Sequence, residues 1–384
     1  MTGKTIAILG GGFGGLAAAH ALRSRLPVEH RVVLIERKRA FSMGLSNLWV
    51  MAGQRAHPKD GERTFAKLAG KGIEIVHESI REIDAARMTV RTDTQTMAAD
   101  YLVIALGAEL APSAIPGFPE AAYNLYDSEG ALALQGALRT FTGGKIVILM
   151  SRTPFKCPAA PYEAAFLIDA SLRERAARER TQLSIYTIEP QPMPVAGPHI
   201  GEALRAMLTQ RNIAYFPDHA ALKIDTTRKR ILFEIDEADF DLLIGVPPHV
   251  APSVVRDAGL VDSTGWIPVD ASTLKTRHPR VYAIGDIAAV KLKNGMFLPK
   301  AGIFAESEGR VVAENIAAEI LGHTSAARFD GRGGCYLEVG NGKAAYGEGD
   351  FYALPSPRVT LEEPTGARMR EKEQFEQSRL DAWL

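Results

Sequence analysis

The run Gly10-Gly11-Gly12-Phe13-Gly14-Gly15 restricts what this chain can fold into more than any other stretch. It stands between the apolar residues Thr5-Ile6-Ala7-Ile8-Leu9 and the helical pattern Leu16-Ala17-Ala18-Ala19-His20-Ala21-Leu22, which reads as strand, tight turn and helix. Glycines at this spacing let the chain turn at Gly10, let a diphosphate approach the backbone at Gly12, and let helix and strand close together at Gly15. Gly14 completes the cradle, and the helix N-terminus faces the phosphates. A second apolar strand, Arg31-Val32-Val33-Leu34-Ile35, ends in Glu36, about twenty residues past the last glycine, where an acid meets a ribose hydroxyl. Arg37 follows at the same edge. The spacing predicts a dinucleotide-binding unit and an α/β fold.

At 384 residues the chain has room for two or three domains, and 46% apolar against 23% charged residues make it an ordinary globular sequence. Its 45 basic and 45 acidic residues cancel, so general attraction to nucleic acid is not implied. No apolar run approaches the roughly 20 residues that span a bilayer, and the start lacks a secretory pattern. The expected location is cytoplasmic, with any membrane contact peripheral, on the inner face of the cytoplasmic membrane. Only two cysteines occur, Cys157 and Cys335, outside any CxxC motif, so no metal site is expected. If they meet in space in a reducing compartment, a redox-active pair is the natural reading.

After Glu36, residues 41–53 read as a loop entering a helix near the first unit. Residues 73–76 and 88–92 read as meander strands, and 100–105 as a buried parallel strand running into Leu106-Gly107-Ala108, where Ala105 and Gly107 leave room for a ligand. Prolines 112, 116 and 119 mark the exit from this unit. A second α/β unit begins with the strand Lys145–Met150. A nicotinamide-binding unit would carry another glycine fingerprint next, but here the chain reads Ser151-Arg152-Thr153-Pro154-Phe155-Lys156-Cys157-Pro158-Ala159-Ala160-Pro161-Tyr162-Glu163. NAD(P)H in the usual pose is disfavoured. Helices over 164–178 and 200–211 and strands over 183–188 and 213–216 continue this unit. The strand Arg280–Ile284 returns to the first unit and ends in Gly285-Asp286, a carboxylate at the sheet edge suited to a polyhydroxyl chain. A helix over 303–320 closes with Gly322. The C-terminal residues set Phe375, Leu380, Trp383 and Leu384 among charges, either as an interfacial anchor or as a segment docked on the body or on a second subunit.

These pieces together resemble the two-dinucleotide-binding-domain flavoproteins, and within them the sulfide:quinone oxidoreductases and the flavoprotein subunit of flavocytochrome c sulfide dehydrogenase. The general markers are the Gly10–Gly15 fingerprint with Glu36, the 102–108 segment, and Tyr282-Ala283-Ile284-Gly285-Asp286. The narrower ones are the 156–163 segment, Pro299-Lys300-Ala301-Gly302 and the late lone Cys335. A further cysteine common in sulfide:quinone oxidoreductases has no counterpart in Tyr123–Ser128.

The resemblance implies two Rossmann-like domains: an FAD domain from 1–110 and 265–322, and a second, 111–264, carrying Cys157. A C-terminal interface segment, 323–384, carries Cys335. It implies FAD, bound without a covalent link because no cysteine is spare, by Gly10, Gly12, Gly14, Gly15, Glu36, Arg37, Ala105, Gly107, Gly285, Asp286 and Lys300. Hydrosulfide would open a Cys157–Cys335 disulfide, leaving a persulfide and a thiolate that passes electrons to the flavin. Glu163 is the candidate proton carrier, its alternative being an acid that complements a helix N-terminus. Lys300 would set positive charge beside the flavin. The acceptor is a quinone or, alternatively, a cytochrome. More distant readings are a type II NADH:quinone oxidoreductase and a flavin-bound redox sensor. Self-association is left open.

Overall fold

The computed structural model describes residues 3–384. The first unit contributes β1 (Thr5–Leu9), α1 (Phe13–Arg25), β2 (Arg31–Ile35), α2 (Ser46–Met51), β3 (Glu74–Val76) and β4 (Tyr101–Ile104). The second contributes β5 (Ala122–Asn124), α3 (Ser128–Thr140), β6 (Gly144–Met150), α4 (Ala160–Glu174), β7 (Thr181–Thr187), α5 (Pro198–Gln210), β8 (Ala214–Phe216) and β9 (Leu242–Val246). The chain then returns to the first unit through β10 (Val281–Ala283) and α6 (Gly302–Ile320). It ends with β11 (Arg332–Gly340), β12 (Lys343–Asp350), β13 (Arg358–Leu361) and α7 (Gly366–Trp383).

β1 is apolar on both faces because it is the middle strand of a parallel sheet ordered β10-β4-β1-β2-β3, covered on each side. Small residues let α1 lie close to α6: a Cβ placed on Gly309 would come within 2.5 Å of the Gly14 carbonyl. The second parallel sheet runs β5-β9-β6-β7-β8. Both sheets therefore have strand ends and helix N-termini facing a shared cleft, the position where open α/β sheets bind ligands.

Three local expectations need correction. Residues 74–76 are the edge strand of the first sheet, while the antiparallel meander is built from Ile80–Asp84, Thr89–Thr92 and Thr96–Ala98. α4 starts at Ala160, since Pro161 fits the first turn of a helix, where its missing N–H breaks no bond. It stops short of residue 178 because Ala176 adopts a φ of 52°.

The C-terminal strands form a three-stranded antiparallel sheet that lies against α4 and carries α7. Leu380, Trp383 and Leu384 are buried on the first unit, where the Trp383 ring meets Phe13 at 5.5 Å and Phe41 at 6.2 Å, both edge-on. The interfacial-anchor expectation for these three is corrected: their apolar surface is already covered by the body of the protein. Among the described residues, no helix is long and apolar enough to cross a membrane.

Candidate active site

The glycine turn is built as its spacing requires. Gly10 has a φ of 104°, and a Cβ on Gly15 would overlap the Gly10 carbonyl at 1.9 Å. Gly12 differs: nothing lies within 4 Å of where its Cβ would stand, and the same holds for Gly107. Both line a cavity of about 780 Å³ between the two units, together with Gly14, Ala105, Gly285 and Asp286. A Cβ at Gly12 would project into this space, so the turn fits a dinucleotide diphosphate approaching the N-terminus of α1. Glu36 closes the turn from the side: its carboxylate accepts from the Gly11 N–H at 2.7 Å and from the Lys38 N–H at 2.9 Å. Arg37 is exposed and lies outside the cavity lining. Burial holds the Asp286 carboxyl above the usual range, against the pull of Lys300 and Lys156.

Cys157 occupies the turn between β6 and α4, where a second glycine fingerprint would stand. Its φ is 50°, in the left-handed region, and backbone bonds fix it there. Its N–H donates to the Lys300 carbonyl at 2.7 Å, and its own carbonyl accepts from the Ala160 N–H at 2.9 Å and the Tyr126 hydroxyl at 3.2 Å. Cys335 sits on β11, which α4 underlies, and faces the same cavity. Both sulfurs are free thiols in this structure. Burial pushes Cys157 well up from the ordinary thiol value, and the neighbouring Cys335 and Glu163 add to the rise, with Lys372 opposing. Cys335 is exposed to the cavity, yet desolvation by the protein around it and then Glu163 hold its thiol up at about 11.

Lys300 is largely buried, its ammonium 3.6 Å from the Trp266 ring centroid and donating to the Asp286 carbonyl. Burial lowers it to about 8, with Asp286 and Glu308 opposing. Its charge is thus directed to a carbonyl and an aromatic face, while its backbone anchors the cysteine turn.

Glu163 is 2% exposed, and its Oε1 accepts both from Lys372 Nζ at 2.6 Å and from the Glu338 N–H at 2.8 Å. Lys372 also reaches Glu338 Oε2 at 3.0 Å, and the Trp49 indole N–H donates to that oxygen at 2.9 Å. Burial works against the Lys372 charge, but Glu163 and Glu338 outweigh it and hold the ammonium above its ordinary value. This ion-paired cluster joins α4, β11, α7 and α2. Sequence reasoning missed Lys372, Glu338 and Trp49: Lys372 lies in a highly charged stretch that reads as a solvated face, and no spacing rule links it to Glu163.

Two Rossmann-like parallel sheets, one ending in an open glycine turn and the other in a turn that carries a cysteine, are the architecture of a two-domain oxidoreductase. The sequence profile of the pyridine nucleotide-disulphide oxidoreductases matches residues 4–149 and 163–309, and the chain belongs to that family. It is 24% identical over 365 residues to the mitochondrial sulfide:quinone oxidoreductase of Mus musculus, covering 91% of this chain and 79% of that one. It is 25% identical to the sulfide-quinone reductase of Aquifex aeolicus, covering 83% and 77%. In fold it is similar to the crystal structure of the Aquifex aeolicus sulfide:quinone oxidoreductase, with a TM-score of 0.88 at 23% identity over 98% of this chain and 90% of that one.

Proposed function

We propose that this protein oxidises sulfide to sulfane sulfur through a Cys157–Cys335 redox pair, with FAD as the electron carrier and a quinone as the acceptor. The observation that carries the reading is that both cysteines line one cavity with an open dinucleotide cradle, Cys157 standing where a relative would hold a second nucleotide's phosphates. The names of the Mus musculus and Aquifex aeolicus relatives supply the substrate and the acceptor.

In this reading residues 1–110 and 265–322 are the FAD domain, 111–264 the cysteine-bearing second domain, and 323–384 the segment that brings Cys335 to the cavity. Gly12 and Gly14 face the diphosphate, with Gly10 and Gly15 shaping the turn beneath it, Glu36 meets the adenosine ribose, and Gly285 and Asp286 the ribityl chain, with Ala105 and Gly107 giving it room. Bound there, FAD would supply two-electron carriage between the sulfur chemistry and the acceptor. It is held without a covalent link, because both cysteines serve the sulfur chemistry. Hydrosulfide opens the Cys157–Cys335 disulfide: a new S–S bond forms on one cysteine as the old one breaks, and the other leaves as a thiolate. Phe41, Leu45, Leu48 and Phe375 give the cavity an apolar wall suited to a quinone ring, reached from a membrane surface that the protein contacts peripherally.

Anaerobic titration of the FAD-loaded protein with sulfide is the test, read by flavin absorbance. The wild type bleaches and recovers with a quinone analogue. Cys157→Ser and Cys335→Ser bleach with dithionite but not with sulfide. Ready sulfide bleaching and normal turnover in both variants would remove the proposed pair.

A further inference from the structure

Glu189 follows the end of β7, the place in the second unit that Glu36 holds in the first. It is 5% exposed and lines the same cavity as Cys157 and Cys335. The Tyr162 hydroxyl donates to its Oε2 at 2.8 Å. Among the described residues Oε1 has no hydrogen-bond partner, and no lysine or arginine pairs with the carboxyl. Glu163, one residue along α4 from Tyr162, is the opposite case, locked to the Lys372 ammonium. A buried acid with one neutral partner takes a proton readily. The groups facing Glu189 are Tyr162 from α4, Tyr215 from β8, and Tyr126 ahead of α3. Asp218 and Arg205 stand behind Tyr215. Burial raises Glu189 to about 7, and the Tyr162 bond works the other way.

We infer that Glu189, rather than Glu163, is the catalytic base that takes the proton from hydrogen sulfide as it enters the cavity, with Tyr162 as its positioning residue. The inference rests on the sulfide-oxidising reading above. In the step, neutral hydrogen sulfide gives one proton to the Glu189 carboxylate, and the hydrosulfide formed attacks the Cys157–Cys335 disulfide. One sulfur–sulfur bond forms, one breaks, and the electron pair of the broken bond stays on the departing thiolate. The disulfide is the oxidised resting state, regenerated through the flavin by the quinone. The proton on Glu189 returns to solvent along the cavity, or to the sulfur that is released.

The experiment compares the FAD-loaded wild type, Glu189→Gln and Tyr162→Phe by anaerobic stopped-flow bleaching with sulfide at pH 6 to 9, with dithionite bleaching as the check on the flavin. Hydrogen sulfide predominates at the acid end, and solvent-made hydrosulfide at the alkaline end. Glu189→Gln is expected to lose about tenfold or more in bleaching rate near pH 7, where carboxylate and hydrogen sulfide coexist, less at pH 6, and to approach the wild type at pH 9. Tyr162→Phe keeps the buried ring but removes the bond that lowers the Glu189 value, so its defect is smaller than that of Glu189→Gln and likewise fades toward pH 9. Infrared difference spectra should show a protonated carboxyl that titrates near pH 7 in the wild type and is missing in Glu189→Gln. A Glu189→Gln rate equal to the wild type at every pH, or slowed by the same factor at every pH, overturns the inference. A wild type that sulfide does not bleach at all overturns the sulfide-oxidising reading instead.

Discussion

Cys335 illustrates how one thiol is tuned by its surroundings. Its side chain opens onto the cavity, yet the protein around it and Glu163 hold the thiol up at about 11, so below that pH it is mostly neutral and a weak nucleophile. Alkylation of the reduced protein by iodoacetamide should be slow at pH 8 and should quicken about tenfold per pH unit up to pH 11. A rate already flat at pH 8 would contradict this environment. The raised Glu189 carboxyl bears on stability. A carboxyl raised from about 4.3 to about 7 on folding withdraws stability as the pH climbs between those values, because the folded state binds the proton longer. Glu189→Gln should therefore be the more stable protein above pH 7, by roughly 1–3 kcal/mol, with the two proteins converging below pH 4 in denaturant melts. Gly12 carries a third prediction. Its Cβ position is empty, so Gly12→Val should leave the circular dichroism and melting of the apoprotein unchanged while abolishing retention of FAD on gel filtration. A clash with the protein would instead show as lost stability, as expected for Gly15→Ala, whose Cβ meets the Gly10 carbonyl at 1.9 Å. The glycine residues and their spacing were legible in the sequence. Their roles in the turn were legible from the spacing as well, while the tight approach of α6 to α1 at Gly309 was not, because it depends on a helix almost three hundred residues away.

At the scale of elements, α4 and α7 are joined by charge in a dry place. Lys372 is 3% exposed and bridges Glu163 and Glu338. Replacing it with methionine leaves two buried carboxylates without a cation, which should cost about 3–5 kcal/mol, read as a lower denaturation midpoint. Removing both carboxylates as well, by Glu163→Gln and Glu338→Gln, should recover much of the loss. The sign with pH follows from Lys372 standing above its ordinary value. Its stabilisation is fully present below about pH 10 and fades only as the pH rises through the folded value. Expecting Glu163 to be a mobile proton carrier was reasonable from its place in the first turn of a helix after Cys157. The helix is expected over 164–178 while it already begins at Ala160, and the partner lies on an element more than two hundred residues away. No periodicity connects them.

Over the whole molecule, the C-terminal helix acts as a clamp. Trp383 closes on Phe13 and Phe41 in the first unit while Lys372, on the same helix, is tied to the second. Trp383→Ala should lower stability by about 3–5 kcal/mol and loosen FAD, since Phe13 begins the helix that faces the diphosphate. FAD retention unchanged in that variant would separate the clamp from the cofactor cradle. The charged composition of residues 368–384 conceals this role, because the buried positions are spread thinly among arginines and glutamates that face solvent.

By itself the sequence determined the elements that local pattern dictates: strand, glycine turn and helix at residues 5–25, the strand Lys145–Met150 of the second unit, and a cysteine where a phosphate turn belongs. These follow from spacing and from what glycine, proline and apolar runs permit a backbone to do. Only the tertiary structure decided that β11 carries Cys335 to the cavity of Cys157, that Glu163 is neutralised by Lys372, and that Glu189 keeps a free oxygen toward the same space. Burial and pairing belong to distances between distant parts of the chain, and a carboxyl's chemistry is set by those distances rather than by its neighbours in sequence.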